Sequence, residues 1–380
     1  MQHPQDYPRR TLLVVTGLSP QVVTETLWAL TVGAGARERF VPTEIHVLTT
    51  RQGAERIRLQ LLSEDPGWFW RLLAEYDLPP IRFQLDQVHV AERDGRPLDD
   101  IRDEGDSQAV GDFIMEWVRR LTGDDQAAVH ASIAGGRKTM GFYLGYAMSL
   151  FGRVQDRLSH VLVDAPFESL SDFFYPAPAE RVVIDRNNNP LDAALARVWL
   201  AGIPFVRLRE GLPRRLLDGK AGFAETVEAA QRALEPPRLT VDLSRACIVA
   251  GGETVHMAPA DLAFYAMMAR RRALGRHAVR PEDLELEQDY LPEHERIQHA
   301  PHDRVRDRIR DIAAEPDAMQ MIEKQRNWFD ERCSKTNAAL LKALGEVLAK
   351  PYLIRSQGQR PRTRYGLTLE PEAIEIIDPD

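Results

Sequence analysis

Short apolar runs alternate with amphipathic stretches through the first half of the chain. The runs at residues 11–15, 44–48, 82–90, 128–133, 160–163 and 181–184 are β-branched and nearly continuously apolar, as strands covered on both faces should be. Between and after them, residues 20–32, 53–62, 107–121, 136–150 and 191–201 read as helices. This alternation predicts an α/β domain with a Rossmann-like, mostly parallel sheet over residues 1–205. Beyond it the character changes. Residues 206–237 are charged, are bounded by Gly211, Pro213 and Pro236-Pro237, and read as a helical connector. Residues 238–380 read as a mainly α domain: a small hairpin at 239–241 and 246–249, then helices at 259–274, 281–286, 304–314, 319–332 and 337–349. The last of these leads into 352–355, a basic turn and 365–369, so helix, strand, turn and strand follow one another as in a winged helix. No internal repeat is visible.

Composition narrows the class. A chain of 380 residues exceeds what one hydrophobic core usually serves, which agrees with two domains. Its net charge of −8 argues against indiscriminate coating of nucleic acid, which is driven by phosphate neutralisation, so any such contact is local. No apolar run approaches the roughly 20 residues that span a bilayer, and residues 1–10 are polar with no signal-peptide core. A cytoplasmic protein without membrane attachment is expected. The two cysteines, Cys247 and Cys333, are too few for a disulfide framework and read as buried small hydrophobes.

Two loops carry candidate chemistry, each leaving a strand and entering a helix, where α/β folds bind ligands. The first is Thr16-Gly17-Leu18-Ser19-Pro20-Gln21. Ser19 reads as an N-cap and Pro20 as the first helical residue, so the amides of that turn point out of the helix start toward an anion. The second is Ser132-Ile133-Ala134-Gly135-Gly136-Arg137-Lys138-Thr139. Its paired glycines let backbone approach a phosphate, and Arg137 and Lys138 add fixed positive charge. Neither loop has Walker A spacing or a dinucleotide fingerprint. A Gly-Gly before a helix also serves simply as a tight turn, and it is the presence of two such loops in one parallel sheet that favours a site.

These residues resemble the CRISPR-associated Rossmann fold (CARF) family, especially the type III CRISPR ancillary proteins described as ring nucleases. The resemblance rests on Thr-Gly-Leu-Ser-Pro-Gln-Val-Val-Thr-Glu-Thr at 16–26, Thr-Thr-Arg-Gln-Gly at 49–53, Ser-Ile-Ala-Gly-Gly-Arg-Lys-Thr-Met at 132–140 and Asp-Phe-Phe-Tyr-Pro at 172–176. It covers roughly residues 8–205. It implies a homodimer whose paired pockets bind a cyclic oligoadenylate, with cyclic tetra-adenylate favoured because its internal symmetry suits a two-fold axis. It further implies cleavage without a metal or cofactor, by attack of a ribose 2′-hydroxyl on the adjacent phosphorus. Carried over by motif, Ser19 and the neighbouring amides meet the ribose-phosphate. Gly135, Gly136 and Lys138 meet the scissile phosphate, and Thr49 and Thr50 stand near an adenine or ribose. Lys138 and Ser19 are the expected catalytic residues, and no general base is apparent.

The second half leaves other uses open. Related effectors carry a ribonuclease pattern in which Arg steadies a phosphate and His moves protons; Arg272 with His277 and Arg296 with His302 match its spacing loosely, and Pro301 interrupts the second. His294, His299 and His302 miss the zincin spacing and read as surface histidines on a charged helix. Arg355, Arg360, Arg362 and Arg364 form a basic cluster on the expected wing. Such a wing serves either DNA or RNA contact or protein contacts.

Overall fold

In the computed structural model, residues 2–35, 39–168, 170–219, 222–232, 235–276, 278–297, 302–358 and 363–379 are described. The chain divides into two compact units, Met1–Arg209 and Glu210–Asp380. In the first, strands β1 (Arg9–Val15), β2 (Glu44–Thr49) and β3 (Val88–Val90) alternate with helices α1 (Gln21–Thr31), α2 (Arg51–Gln60) and α3 (Trp68–Glu75). A two-residue ribbon follows, β4 (Glu92–Arg93) with β5 (Arg96–Pro97). Then come α4 (Glu104–Thr122), β6 (Ala127–Ser132), α5 (Lys138–Phe151), β7 (Arg157–Val163), β8 (Val182–Ile184), β9 (Pro190–Asp192) and β10 (Val198–Gly202).

Six of these strands form one sheet in the order β10-β7-β6-β1-β2-β3, parallel throughout except for β10. The expected mostly parallel α/β sheet is therefore present. Leu12 and Val14 of β1 and Ile45 and Val47 of β2 pack with α1, α2 and α3 in one buried cluster. Because successive strand residues point to opposite faces, the other face is left to α4 and α5, which pack side by side. The chain leaves β1 toward β2 and β3, then returns to lay β6 on the other side of β1. The carboxyl ends of β1 and β6 thus form the switch point at which open α/β sheets hold ligands.

Three expectations in this unit need correction. Residues 181–184 do not join the main sheet; Val182–Ile184 pairs with Pro190–Asp192 in a separate hairpin. Its turn is set locally: the Asp185 carboxylate accepts from the amides of Asn187 and Asn189, and Asn188 takes φ 65°. Residues 191–201 are not a helix. They run through β9, a 3-10 turn at Ala193–Leu195 and β10, which adds antiparallel to β7; a free sheet edge captured Val198-Trp199-Leu200 against their helical spacing. Of residues 82–90 the last three pair as a strand and Arg82 makes an isolated parallel bridge to Glu44, with a 3-10 turn at Leu85–Gln87 between them. The helix α3 was not expected from the sequence.

The second unit begins with α6 (Arg214–Leu217) and α7 (Phe223–Arg232), continues with β11 (Leu239–Asp242), β12 (Cys247–Ala250) and β13 (Glu253–Val255), and becomes helical. Its helices are α8 (Pro259–Ala273), α9 (Leu286–Asp289), α10 (Leu291–Glu295), α11 (His302–Ala313), α12 (Ala318–Leu344) and α13 (Glu346–Ala349). Strands β14 (Arg355–Gln357) and β15 (Arg364–Gly366) form a hairpin, and β16 (Ile374–Ile377) returns to pair parallel with β11. Residues 319–332 and 337–349, expected as two helices, are largely one. Asn337, expected to open the second, sits inside α12, where its side chain donates to the carbonyl and accepts from the amide of Ile354. It ties the chain ahead of β14 to the helix rather than capping one. His294 is buried, 1 % exposed beside Tyr290, which corrects its reading as a surface histidine. Cys247 is buried and Cys333 is partly buried against the core. Among the described residues no helix is long and apolar enough to cross a membrane.

Candidate functional site

Three loops meet at the carboxyl edge of the first unit's sheet, and glycines set how closely. A Cβ on Gly17, after β1, would stand 3.4 Å from the Cα of Gly136, after β6. Gly136 has φ 84°, which favours glycine, and Gly135 lies so close to Thr16 that a Cβ would come within 2.7 Å of its Oγ1. Gly53, in the first turn of α2, has less room still: a Cβ there would meet Thr49 Oγ1 at 2.0 Å and the Gly17 carbonyl at 2.6 Å. The motifs at 16–26, 49–53 and 132–140 are therefore packed backbone to backbone.

Buried polar side chains hold this arrangement. Thr16 donates its hydroxyl to the Ser19 carbonyl at 2.9 Å, and its amide reaches the Leu48 carbonyl at 3.1 Å. Ser132, at the end of β6, shares a 3.2 Å hydrogen bond with Thr26 of α1. Thr50 caps α2 by accepting from the Gly53 amide. Thr16, Thr49, Thr50 and Ser132 are all buried, so these four support the loops from beneath. Thr49 Oγ1 has no hydrogen-bond partner among the described residues.

The exposed part of the site is smaller. Ser19, Gly136, Arg137, Lys138 and Thr139 are exposed, with Ala134 and Gly135 half-buried. Ser19 does not cap α1 with its side chain: the helix proper starts at Gln21 after Pro20, and no side chain caps it. The Ser19 hydroxyl is thereby left at a cavity wall. α5 starts at Lys138 and is likewise uncapped, so its first amides can take an anion, favoured there by the helix dipole. Two arginines beside the loops are already engaged. Arg137 pairs with Asp100 and Arg51 with Asp99, holding both carboxyls below their ordinary range. Lys138 has no ion pair among the described residues, so it is the loop's available positive charge.

A cavity of about 460 Å³ opens beside these loops, lined by Ser19, Gln21, Glu25, Gly135 and Gly136, with Glu168 and Arg186 among the residues opposite. Gln21 donates to the Ser171 carbonyl at 3.0 Å, while its Oε1 is shielded and has no partner among the described residues. Glu25, one helical turn after Gln21, is the feature that sequence reasoning missed. Burial, reinforced by the nearby Glu168 carboxylate, pushes its pKa up to about 8. Its signals in the sequence were its place in the 16–26 motif and the i, i+4 spacing from Gln21. A second depression, lined by Leu18, Arg51, Gln52 and Leu59, lies over α2, and Leu18 there is 53 % exposed.

Other candidate residues stand elsewhere. Arg355 and Arg364 sit on the β14–β15 hairpin, and Arg364 donates to the Ala278 carbonyl. Arg360, Arg362, His277 and His299 lie outside the described residues, as does the side chain of His302. Arg272 bonds the Leu369 carbonyl, and Arg296 pairs with Glu293 and Asp378. Among the described residues, no group of three or more His, Cys, Asp or Glu could hold a metal ion.

The fold and the loop geometry define an α/β protein with a candidate ligand site at its sheet switch point. Residues 19–236, more than half of the chain, match the profile of the family described as CRISPR-associated protein NE0113, and the chain belongs to that family. No curated protein matches the chain.

Proposed function

We propose that this protein binds a cyclic oligoadenylate at the switch point of its first unit and opens the ring in type III CRISPR defence, as a ring nuclease of the CARF type. Membership of a CRISPR-associated family supports the setting. The observation that carries the reading is the convergence of Gly17, Gly53 and Gly135-Gly136, which brings the uncapped starts of α1 and α5, the Ser19 hydroxyl and Lys138 to one edge. Two copies, each holding half the ring, would match the symmetry of cyclic tetra-adenylate. The Leu18–Leu59 depression offers an apolar surface for a base.

In the proposed reaction the 2′-hydroxyl attacks the adjacent phosphorus and the 5′-oxygen leaves, giving a 2′,3′-cyclic phosphate and a free 5′-hydroxyl. Glycine-locked loops hold the phosphate and ribose in line, and Lys138 with the α5 amides neutralises charge that grows on the phosphoryl oxygens. The test is incubation of the protein with labelled cyclic tetra-adenylate in the presence of a chelator. Linear di-adenylate should accumulate, and Lys138→Ala should slow it by about 10²- to 10³-fold, the usual effect of removing one such donor. Intact ring after long incubation, with no binding by calorimetry, would overturn the proposal.

A further inference from the structure

We infer that Glu25 is a catalytic residue of this ring opening, giving its carboxylic proton to the departing 5′-oxygen while Glu168 takes the proton of the attacking 2′-hydroxyl. This rests on the function proposed above and supplies the proton transfers that the loops alone do not provide.

The geometry is as follows. Gln21 and Glu25 lie one turn apart on α1 and line the same cavity as Ser19, Gly135 and Gly136. A phosphodiester gripped by the Gly135-Gly136 loop would therefore have the Glu25 carboxyl on its flank. Glu25 makes no hydrogen bond to any described residue, although its side chain is half-buried in the cavity wall. The charged and titratable groups around it there are Glu168 from the loop after β7, Arg186 at the tip of the β8–β9 hairpin and His160 on β7. A purely structural carboxyl in such a place would be paired with a cation or bonded to amides, as Asp156 is with Arg153 and the Val129 amide. Glu25 instead faces a second carboxylate, an arrangement that is tolerable when one of the two holds a proton.

That proton is available at neutral pH. Burial and Glu168 keep Glu25 protonated up to about pH 8, and a bound phosphodiester, as a further negative charge, would push it higher. An acid in this range is well matched to a poor alkoxide leaving group. In the balanced step the bond from 2′-oxygen to phosphorus forms and that from phosphorus to 5′-oxygen breaks. The Glu25 proton passes to the 5′-oxygen and the 2′-hydroxyl proton to the Glu168 carboxylate. Exchange between the two carboxyls through water restores the starting state.

The experiment is single-turnover cleavage of labelled cyclic tetra-adenylate by the full chain from pH 6 to 9.5, alongside binding by calorimetry. For the unaltered protein the rate should fall on an alkaline limb at or above pH 8. Glu25→Gln should bind the ring as before, cleave it about 10²- to 10³-fold more slowly and lose the limb, while Glu25→Asp should recover part of the rate and keep it. Glu168→Gln removes the neighbouring charge and should lower the rate and move the limb to lower pH, a readout that stands if Glu25→Gln does not fold. Cleavage by Glu25→Gln at the unaltered rate, or an unchanged alkaline limb in it, would overturn the assignment while leaving the ring-nuclease reading intact. If the unaltered protein neither binds nor opens the ring, both fail together.

Discussion

In the second unit, Arg270 bridges Glu293 and Asp378 at 2.6 Å each, Arg332 meets Asp261 at 2.6 Å, and Arg215 meets Glu253 at 2.5 Å. At the carboxyl edge of the first unit's sheet, Lys138, Ser19 and Glu25 have no such partner among the described residues, and Glu25 faces another carboxylate. One region spends its ionisable groups on holding helices and strands together. The other holds its backbone with glycines and buried threonines and leaves ionisable groups facing a cavity. Ionisable groups left facing a cavity can be compensated by a ligand, and the contrast agrees with the proposal that places the ligand in the first unit.

The contrast can be broken by substitution. The largest effect on folding should come from Arg332→Ala, which strands the buried Asp261 carboxylate; removing one partner of a buried pair costs about 3–5 kcal/mol. Chemical denaturation of the full chain should show it as an early transition, with the first unit's transition unmoved. A smaller loss, about 1–3 kcal/mol as for other overpacked sites, is expected for Gly53→Ala, whose new methyl must displace Thr49 or the Gly17 carbonyl. Thermal unfolding measures it, and an unshifted midpoint would mean the three loops are not locked as described. Least of all should Arg137→Ala change the melting temperature, since its pair with Asp100 is at the surface.

Acid sharpens the comparison further. His89 stacks on Trp117 at 3.7 Å, and burial, together with His46 and Arg120, lowers its pKa to about 4. An unfolded histidine titrates near 6.5. Between about pH 6.5 and 4 this side chain therefore holds more proton in the unfolded chain than in the folded one, and its contribution to stability falls as pH falls through that window. Between pH 7 and pH 4.5 the denaturation midpoint of the first unit should be less sensitive to loss by acid in His89→Phe than in the unaltered protein.

Much of the first unit was legible because its signals are local. Apolar runs located β1, β2, β6 and β7 to within a residue or a few, and the Gly-Gly loop announced itself by residue type. Residues 181–201 were misread because their fate was set by a distant edge: β10 exists as a strand because β7 offers unpaired backbone groups. The same holds for β16, whose partner β11 lies some 135 residues earlier, as the contact between Thr240 and Glu375 marks. A helix was expected to open at Asn337, yet the residue lies inside α12 and its side-chain amide is used by Ile354.

What the sequence determined by itself was the alternation of strands and helices and the two loops able to approach a phosphate, since periodicity and glycine's backbone freedom are properties of neighbouring residues. Tertiary structure alone decided which charges remain available. Arg137 is neutralised by a carboxylate 37 residues away, Gln21 is anchored to a carbonyl 150 residues away, and Glu25 meets Glu168 across a cavity that no local pattern encodes. Electrostatic environment depends on distance through space and on burial, and both come into being only when the chain closes on itself.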